Sequence, residues 1–517
     1  MSNSKCLDNR PSFLTLHENL RHHVSVRADK TAIIYEEMSI TFGKLYEMAG
    51  KISAELHESG IRQGDNVGIY LRNHWSYVAI YYALSMSGIV AVPINYMLRS
   101  AQLSALLELT NCKYLFTELS QYDQIAATDY EFLPLCFIDE RPDKKHAILA
   151  EWLMEAASCP KPVANVGIND PMMVLFSSGT TDIPKGIILS HLNRILYFFS
   201  LGMQYGIRYD DVNLCTTPLY HNAAVFFALN NLYFGSTSVI HRKFEIIRTF
   251  EDIECHRVTN AFFVPTQLHQ LIHSEERKRF NLSSLRVIVS GAAPLATTTK
   301  EAILECFPGV ELHELYGLTE TGLITNLRPK DQLRKIRCAG QAFLNMEFKV
   351  VDDHDNQLPS GQVGEIVTRG PTVFDGYVGN EEATRLAWRD GWFHTGDLGK
   401  TDDEGFLYVV DRLKDMILSG GVNIYPKDIE DAIYTLSEVQ DVAVIGIPDE
   451  LWGEAVHAIV VCYCGSTLTS EQVIATCRKG LASYQLPRSV EFRAELPRNP
   501  SGKLLKRLLR DEFWRHK

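Results

Sequence analysis

Short apolar runs alternate along the chain with longer stretches in which apolar residues recur at helical spacing. Runs of this length that are bounded by glycine or proline predict strands covered on both faces. The clearest examples are residues 66–70, 172–176, 286–290 and 365–367. Because such strands alternate with helical stretches, the pattern predicts an α/β fold built of layers.

The stretch between Arg72 and Arg99 carries no formal charge and is long enough to span a bilayer. Gly88 interrupts it, and polar residues occur on both sides of that glycine. We therefore predict a buried helix over 77–87 and a buried strand over 89–92, with no transmembrane segment.

The spacing of the predicted elements changes after about Arg412, where short helices and strands follow one another closely. The predicted order is helix 426–434, strand 442–447, strand 455–464, helix 470–481 and strand 489–493. This order predicts a small α+β domain. The sequence thus predicts a large N-terminal domain over residues 1–412 and a small C-terminal domain over 413–517.

Composition narrows the function classes. A chain of 517 residues exceeds what one hydrophobic core usually organises, and a net charge of −12 disfavours nonspecific nucleic-acid binding. Residues 1–23 lack the apolar segment of a secretory signal, and the 11 cysteines show no C-x-x-C spacing. We predict a cytoplasmic protein that binds no nucleic acid; the oligomeric state does not follow from the sequence.

Several common catalytic motifs are absent from the sequence. No two glycines are two residues apart, so the dinucleotide fingerprint G-x-G-x-x-G cannot occur. The patterns H-E-x-x-H and G-x-S-x-G are also missing. Zincins and serine hydrolases of the common patterns therefore lose support.

The most informative stretch is F-S-S-G-T-T-D-I-P-K-G over residues 176–186. Small residues allow backbone N–H groups to line a concavity that binds an anion. Hydroxyl groups and one lysine add further donors. The polar residues and glycines of this loop are Ser177, Ser178, Gly179, Thr180, Thr181, Lys185 and Gly186.

Six further motifs follow in a fixed order. They are S-G-A-A-P over 290–294, E-L-Y-G-L-T-E-T-G over 314–322, W-F-H-T-G-D-L-G over 392–399, D-R-L-K-D over 411–415, S-G-G-V-N-I-Y-P over 419–426, and P-R-N-P-S-G-K over 497–503. With the loop at 176–186, this series resembles the ANL superfamily of adenylate-forming enzymes. The resemblance implies the ANL fold, with layered α/β subdomains and a small mobile C-terminal domain.

The resemblance also implies a reaction. A carboxylic acid attacks the α-phosphorus of ATP to give an acyl-adenylate and diphosphate, and a thiol such as CoA then displaces AMP. Such chemistry depends on positioning anions and stabilising charge rather than on a protein nucleophile. The reaction implies Mg²⁺ as the cofactor and ATP and CoA as co-substrates. A small carboxylic acid is the remaining substrate.

By resemblance, each motif residue acquires an expected role. Lys185, Thr319, Glu320 and Lys503 would act on the phosphates and the reacting carboxylate, with Glu320 as the Mg²⁺ ligand. The residues expected to bind ATP or AMP are Ser177, Ser178, Gly179, Thr180, Thr181, Gly186, Ala292, Ala293, Pro294, Tyr316, Gly317, Asp397 and Arg412. Asp182 stands where the family usually has glycine, and we assign it no role.

A second group of expected roles concerns domain movement. Lys503 lies in the small domain, so that domain must close for adenylation and then rotate away for the thiol to enter. The resemblance places the hinge at Lys414. Gly420 and Gly421 would line the path of the CoA pantetheine, because glycine allows a narrow ligand to pass close to the backbone.

The segment 218–225 resembles the family's acyl pocket and supplies Tyr220, His221 and Asn222. Relatives that activate amino acids usually place an aspartate here, because an unpaired buried ammonium is costly. The segment has none, which favours an acid without an α-amine. His221 either shapes the pocket or is structural.

Overall, the chain resembles crotonobetaine/carnitine–CoA ligases, which implies a betaine acid such as carnitine, crotonobetaine or γ-butyrobetaine. Core packing is the default explanation for the aromatic residues Tyr220, Phe226, Phe227, Phe262 and Phe263, and a wall for a quaternary ammonium is the second possibility. The same wall fits a medium-chain or aryl acid. Three further alternatives remain: a stand-alone adenylation enzyme that loads a carrier protein, a noncatalytic nucleotide-binding protein, and a luciferase-like oxygenase, which shares the first half-reaction.

Overall fold

The computed structural model describes residues 15–128, 130, 133–155, 165–176, 185–498 and 504–514. Its described residues fall into two compact units. The first unit lies within 1–177, 183–347 and 368–393, and the second within 178–182, 348–367 and 394–517. The second unit thus includes residues that precede 413, where the sequence predicts the small domain to begin.

The described residues form helices in both units. In chain order, the α-helices are α1 (Leu16–Arg27), α2 (Phe42–Glu58), α3 (Trp75–Ser87), α4 (Ser100–Thr110), α5 (Tyr122–Ala126), α6 (Leu149–Glu155), α7 (His191–Tyr205), α8 (Asn222–Tyr233), α9 (Ile246–Cys255), α10 (Pro265–His273), α11 (Thr297–Cys306), α12 (Glu381–Ala387), α13 (Pro426–Ile433), α14 (Ser470–Arg478) and α15 (Lys506–Trp514). Short 3₁₀ turns occur at Leu119–Gln121, Glu275–Arg279, Pro329–Asp331, Leu413–Asp415 and Ser483–Gln485.

The strands follow the same order. They are β1 (Thr31–Tyr35), β2 (Met38–Thr41), β3 (Asn66–Tyr70), β4 (Val90–Pro93), β5 (Tyr114–Thr117), β6 (Leu135–Phe137), β7 (Ala147–Ile148), β8 (Pro171–Phe176), β9 (Gly186–Ser190), β10 (Val212–Cys215), β11 (Thr237–Ile240), β12 (Asn260–Phe263), β13 (Val287–Ser290), β14 (Glu311–Leu318), β15 (Gly322–Leu327), β16 (Gln341–Ala342), β17 (Glu347–Val351), β18 (Gly364–Arg369), β19 (Gly376–Tyr377), β20 (Trp388–Arg389), β21 (Trp392–Thr401), β22 (Leu407–Arg412), β23 (Ile417–Ser419), β24 (Val422–Ile424), β25 (Val439–Asp449), β26 (Gly453–Cys462) and β27 (Ser489–Phe492).

Two large sheets organise the first unit. The nine-stranded sheet has the order β16-β15-β14-β13-β12-β10-β11-β1-β2, and its centre from β11 to β14 is parallel. The eight-stranded sheet has the order β19-β9-β8-β4-β3-β5-β6-β7. Parallel strands with helices between them confirm the α/β prediction.

The uncharged stretch forms the predicted buried helix and strand. Every residue of α3 is buried, and α3 ends at Gly88, which adopts a left-handed conformation with φ 64°. Strand β4 follows and is buried throughout, because it lies between β3 and β8 in the sheet. Among the described residues, we find no helix whose length and apolar character would let it cross a membrane.

The second unit contains its own sheets. Strands β17, β18 and β21 are hydrogen-bonded in that order, and β22 pairs antiparallel with β21. The C-terminal sheet has the order β24-β23-β26-β25, with β27 parallel to β26. Apolar side chains of α13, α14, β25 and β26 form its core. This matches the predicted series of elements.

Candidate active site

The motif over 314–322 forms the hairpin between β14 and β15. Strand β14 ends at Leu318 and β15 begins at Gly322, so Thr319 and Glu320 lie in the connecting turn. The ladder has an irregularity between Tyr316 and Gly317. A Cβ atom on Gly317 would lie 1.9 Å from the carbonyl oxygen of Gly322, so the hairpin closes this tightly only with glycine.

Glu320 is fixed by a segment further along the chain. Its backbone oxygen accepts a hydrogen bond from the Phe374 N–H at 2.7 Å, and its Oε1 accepts one from the Tyr377 hydroxyl at 3.1 Å. Burial, with the neighbouring Glu320 adding to it, raises the pKa of Tyr377. The phenol therefore stays protonated and remains a donor at neutral pH.

Lys185, the last cation of the phosphate loop, lies on the same tyrosine. Its Nζ is 4.6 Å from the centroid of the Tyr377 ring, within the range of a cation–π contact. Lys185 itself is exposed. The structure thus brings Lys185 and Glu320, two residues predicted from separate motifs, to one side chain.

The donor set fits magnesium supplied with a nucleotide. Among the described residues, no group of three or more His, Cys, Asp or Glu side chains could hold a metal ion. Mg²⁺ commonly binds one or two carboxylates and completes its shell with phosphate oxygens and water. The partly exposed Glu320 carboxylate suits that role.

The segment 292–294 follows the carboxyl end of β13 and is exposed. Ala292 has a φ of 70°, an unusual left-handed conformation for a residue with a side chain. Just beyond it, the Leu295 N–H donates to Glu314 Oε2 at 2.9 Å, and Lys300 Nζ lies 3.3 Å from Oε1. A buried ion pair therefore anchors the loop over 292–294, which was predicted to bind ATP or AMP.

Glu314 sits where β13 and β14 run side by side, opposite Ser290. Its pKa is raised because burial outweighs the opposing effect of Lys300. The carboxyl ends of parallel strands are the usual location of ligand sites in α/β sheets. The placement of Ala292, Ala293 and Pro294 just beyond the carboxyl end of β13 agrees with that rule.

Asp397 and Arg412 are neighbours within the second unit. They face each other across the β21–β22 ladder, and Arg412 Nε lies 3.3 Å from Asp397 Oδ1. Asp397 is only 5% exposed. Both residues were predicted to bind ATP or AMP, and their pairing places a carboxylate and a guanidinium together.

The predicted hinge and glycine motif also lie in the second unit. Lys414 belongs to an exposed 3₁₀ turn, and its carbonyl oxygen accepts a hydrogen bond from Arg510 of α15. Arg510 also lies 3.1 Å from Asp415. Gly420 and Gly421 form the two-residue turn between β23 and β24 with φ angles of 58° and 79°, which other residues rarely adopt.

The predicted acyl segment leads into α8. Tyr220 is buried, packs edge-on against Tyr96 with ring centroids 5.7 Å apart, and contacts His221. Burial lowers the pKa of His221 to about 4, so its imidazole is neutral at pH 7. Tyr220 Oη and Asn222 Oδ1 are buried without a hydrogen-bond partner in the described part of the chain.

The proposed aromatic wall is divided by the sheet. Phe226, Phe227 and Phe262 belong to the largest apolar cluster, with Phe227 stacked on Phe262 at 5.2 Å. Phe263 belongs to a different cluster. Successive side chains of β12 point to opposite faces, so Phe262 and Phe263 cannot line one surface. One wall therefore cannot contain both residues, and their burial in two apolar clusters agrees with core packing, the default explanation.

Two predicted groups lie outside the described residues. They are the loop residues Ser177, Ser178, Gly179, Thr180 and Thr181, and the C-terminal Lys503. The sequence did not predict two residues that contact the candidate site: Tyr377, which contacts Glu320 and Lys185, and Glu314, which holds the loop over 292–294. Their roles depend on partners distant in the chain, although Glu314 opens a recognised motif.

Family comparisons agree with this architecture. The model of the AMP-binding enzyme family matches residues 20–378, and that of the AMP-binding enzyme C-terminal domain matches residues 428–503. The chain therefore belongs to the AMP-binding enzymes, which confirms the predicted ANL superfamily and fold.

Individual relatives span nearly the whole chain. Feruloyl-CoA synthase from Amycolatopsis is 34% identical, covering 95% of this chain and 96% of the relative. The 2-succinylbenzoate–CoA ligase of Bacillus cereus is 32% identical, with 96% and 98% covered. Among solved structures, O-succinylbenzoate–CoA synthetase from Bacillus subtilis in complex with ATP and magnesium has a TM-score of 0.84 at 28% identity, with 96% and 98% covered.

Proposed function

We propose that this protein is an AMP-forming acid–CoA ligase whose acid is an aryl acid. The ligase class, with ATP, Mg²⁺ and CoA as its cofactor and co-substrates, is as predicted from the sequence. The aryl preference is supported chiefly by two relatives, named for feruloyl-CoA and 2-succinylbenzoate, each of which aligns with at least 95% of this chain.

The acyl segment supports the same proposal. Tyr220 and Tyr96 offer aromatic surface, and His221 is neutral because its pKa is low. The unpartnered Tyr220 Oη and Asn222 Oδ1 would be stabilised by a substrate that carries a polar group, since an unsatisfied buried polar atom is costly. A substituted aromatic ring can stack on the tyrosines and also offer a polar group to these atoms, whereas an alkyl chain offers only apolar contact.

The betaine substrate gains no support from these relatives, none of which is named for carnitine or crotonobetaine. The aromatic wall invoked for a trimethylammonium group is also divided between two apolar clusters. We therefore favour the aryl alternative over the betaine acids that the overall resemblance implied.

In the proposed first step, a carboxylate oxygen of the acid attacks the α-phosphorus, and the bond to the diphosphate group breaks. Lys185 would bind the outer phosphates and Thr319 would donate to them. Glu320 would hold Mg²⁺, which when bound offsets phosphate charge. Lys503 would approach the carboxylate and α-phosphate, where its charge offsets the repulsion between two anions.

The remaining predicted residues are each expected to contact one part of the nucleoside. Tyr316 and the backbone of Ala292, Ala293 and Pro294 would flank adenine, and Gly317 would contact the nucleotide. In the second unit, Asp397 can accept hydrogen bonds from both ribose hydroxyls and Arg412 can donate to the same sugar.

In the second step, the CoA sulfur attacks the acyl carbon and AMP leaves. We propose that residues 413–517 rotate about Lys414 between the two steps, so that Lys503 withdraws and Gly420 and Gly421 line the thiol path.

A panel of acids tests the proposed substrate class. We expect kcat/KM for ferulate to exceed that for hexanoate, carnitine and crotonobetaine by about tenfold or more, with AMP and the CoA thioester formed together. A clear preference for carnitine or hexanoate would reject the aryl proposal. Acid-dependent diphosphate exchange without CoA turnover would indicate loading of a carrier protein, and no exchange would indicate a noncatalytic protein.

Tyr220→Phe sharpens this test, because it removes one unpartnered hydroxyl and keeps the ring. We expect the preference for ferulate over unsubstituted cinnamate to fall by about fivefold. Tyr205→Phe is the matched control, since its hydroxyl already contacts Asn326 Oδ1 at 3.3 Å. An equal loss for both acids would show that Tyr220 contacts no polar substituent.

A further inference from the structure

Residues 372–378 form a segment of turns and one short strand, here called the strap, between the two large sheets of the first unit. One side of the strap continues the eight-stranded sheet: Gly376 and Tyr377 of β19 pair with Ile188 and Ile187 of β9. The Val378 N–H donates to the Gly186 carbonyl at 2.8 Å. The strap is therefore tied to the strand that leaves the phosphate loop.

The side chain of Asp375 strengthens this attachment. Its Oδ2 accepts hydrogen bonds from the Ser190 N–H at 2.7 Å and from Asn193 Nδ2 at 3.0 Å. Ser190 and Asn193 lie where β9 passes into α7. The strap is thus fixed to both the strand and the start of the following helix.

The opposite side of the strap is bonded to the turn that contains Glu320. Thr372 Oγ1 donates to the Thr321 carbonyl at 2.8 Å, and the Phe374 N–H donates to the Glu320 carbonyl at 2.7 Å. Arg194, which is fully buried, donates to the Thr372 carbonyl at 2.6 Å. These bonds link the nine-stranded sheet to the eight-stranded sheet at the nucleotide site.

Tyr377 carries this link to the functional groups themselves. Its side chain is 8% exposed, its hydroxyl donates to Glu320 Oε1, and Lys185 Nζ lies over its ring. We infer that Tyr377 is a positioning residue for magnesium–ATP, which holds Lys185 and Glu320 at a set separation across one aromatic ring. This inference rests on the roles proposed above for Lys185 and Glu320.

The two contacts serve different ligands. The hydroxyl bond fixes the plane of the Glu320 carboxylate, and with it the direction in which that group meets a cation. The ring restrains the long Lys185 side chain, which would otherwise lose rotamer freedom on binding a phosphate. The first contact should therefore influence Mg²⁺ binding, and the second should influence nucleotide binding even without metal.

Two substitutions separate these contacts. Tyr377→Phe keeps the ring and removes the hydroxyl, whereas Tyr377→Leu removes both. Binding of the α,β-methylene analogue of ATP, measured by calorimetry with and without Mg²⁺, avoids any turnover. Tyr408→Phe is the matched control, because the Tyr408 hydroxyl also donates to a carboxylate at 3.1 Å, that of Asp402 in the second unit.

For Tyr377→Phe, we expect that about five times more Mg²⁺ is needed for half-maximal enhancement of analogue binding. The affinity for the analogue without Mg²⁺ should stay within about twofold of wild type. For Tyr377→Leu, we expect metal-free affinity to fall by a further factor of about three. Tyr408→Phe should match wild type. Thermal melting checks that each variant is folded.

The inference is overturned if Tyr377→Phe requires no more Mg²⁺ than wild type, or if Tyr377→Leu binds the metal-free analogue as well as Tyr377→Phe does. Failure of the wild-type protein to bind the analogue in any condition would instead reject the proposed function. The two failures are therefore distinguishable.

Discussion

At the scale of single residues, the buried pair of Glu314 and Lys300 shows how core residues hold a loop of the candidate site, the one over 292–294. The two residues are 5% and 1% exposed, and Glu314 also accepts the Leu295 N–H. Removing one member of a buried pair leaves the other charge uncompensated, which costs several kcal/mol. The pair therefore matters to both stability and loop position.

Glu314→Gln is expected to lower the free energy of unfolding by about 3 kcal/mol, because Lys300 loses its counter-charge in the core. Chemical denaturation measures the change. Adding Lys300→Met should recover much of the loss. As a matched control, Lys278→Met removes a partner of the exposed Glu275 and should change stability by less than about 1 kcal/mol. Equal effects at both sites would contradict the argument.

At the scale of elements, the β14–β15 hairpin depends on one glycine. Gly317→Ala would place a Cβ atom 1.9 Å from the Gly322 carbonyl oxygen, and the hairpin must open to relieve that clash. We expect the affinity for an ATP analogue, measured by calorimetry, to fall at least about tenfold.

Gly480→Ala is the matched control for this substitution, because nothing lies within 4 Å of its added Cβ atom and it lies in the second unit. It should bind the analogue like wild type. Wild-type affinity in Gly317→Ala would show that the hairpin geometry does not set the nucleotide site.

The pattern of apolar residues predicted the bounds of a strand well where neighbouring residues in the sequence determine them. Strand 66–70 was predicted with its observed bounds, because asparagine and glycine signals border a continuous apolar run. The predicted strand 455–464 instead covers Gly453–Cys462. Its apolar run continues past the point where pairing with β25 ends, and pairing is a tertiary property.

The candidate site was only partly predictable for the same reason. Motif residues such as Glu320 and Asp397 could be named from spacing and resemblance. Tyr377 could not, because its role arises from the pairing of β19 with β9, strands that lie far apart in the chain. The division of Phe262 and Phe263 between two clusters, by contrast, follows from the alternation of side chains along a strand, which is a local property.

At the scale of the whole molecule, several buried neutral histidines make stability depend on pH. Burial lowers the pKa of His17, His23 and His313 to about 4, and that of His191 to about 3. The unfolded chain takes up protons near the ordinary pKa of 6.5, well above these values. Their contribution is therefore complete above pH 6.5 and is lost as the pH falls towards 4.

We expect the denaturant concentration at the unfolding midpoint to decrease when the pH is lowered from about 7.5 to about 5.5. Each such histidine should lower the free energy of unfolding by about 1 kcal/mol at the lower pH. Denaturation at both pH values measures the change. His313→Gln should reduce the pH dependence, because it removes one of the histidines whose pKa burial lowers. A midpoint independent of pH over this range would contradict the argument.

Lys503→Ala tests the proposed alternation of domains. This lysine would be needed only when the C-terminal domain closes on the carboxylate and α-phosphate, so adenylate formation should fall by about a hundredfold or more. Thioester formation from a supplied acyl-adenylate and CoA should remain near wild type. Single-turnover measurements of each half-reaction decide this, and equal loss of both would reject the alternation.

The central claim is that the acid passes through an acyl-adenylate. The most direct test is a turnover with ¹⁸O-labelled ferulate carboxylate, ATP, Mg²⁺ and CoA, with mass analysis of the products. Because the attacking carboxylate oxygen stays on phosphorus when CoA displaces the nucleotide, the account predicts one ¹⁸O in AMP and one in the thioester. Label in inorganic phosphate together with ADP, or AMP without label, would contradict it.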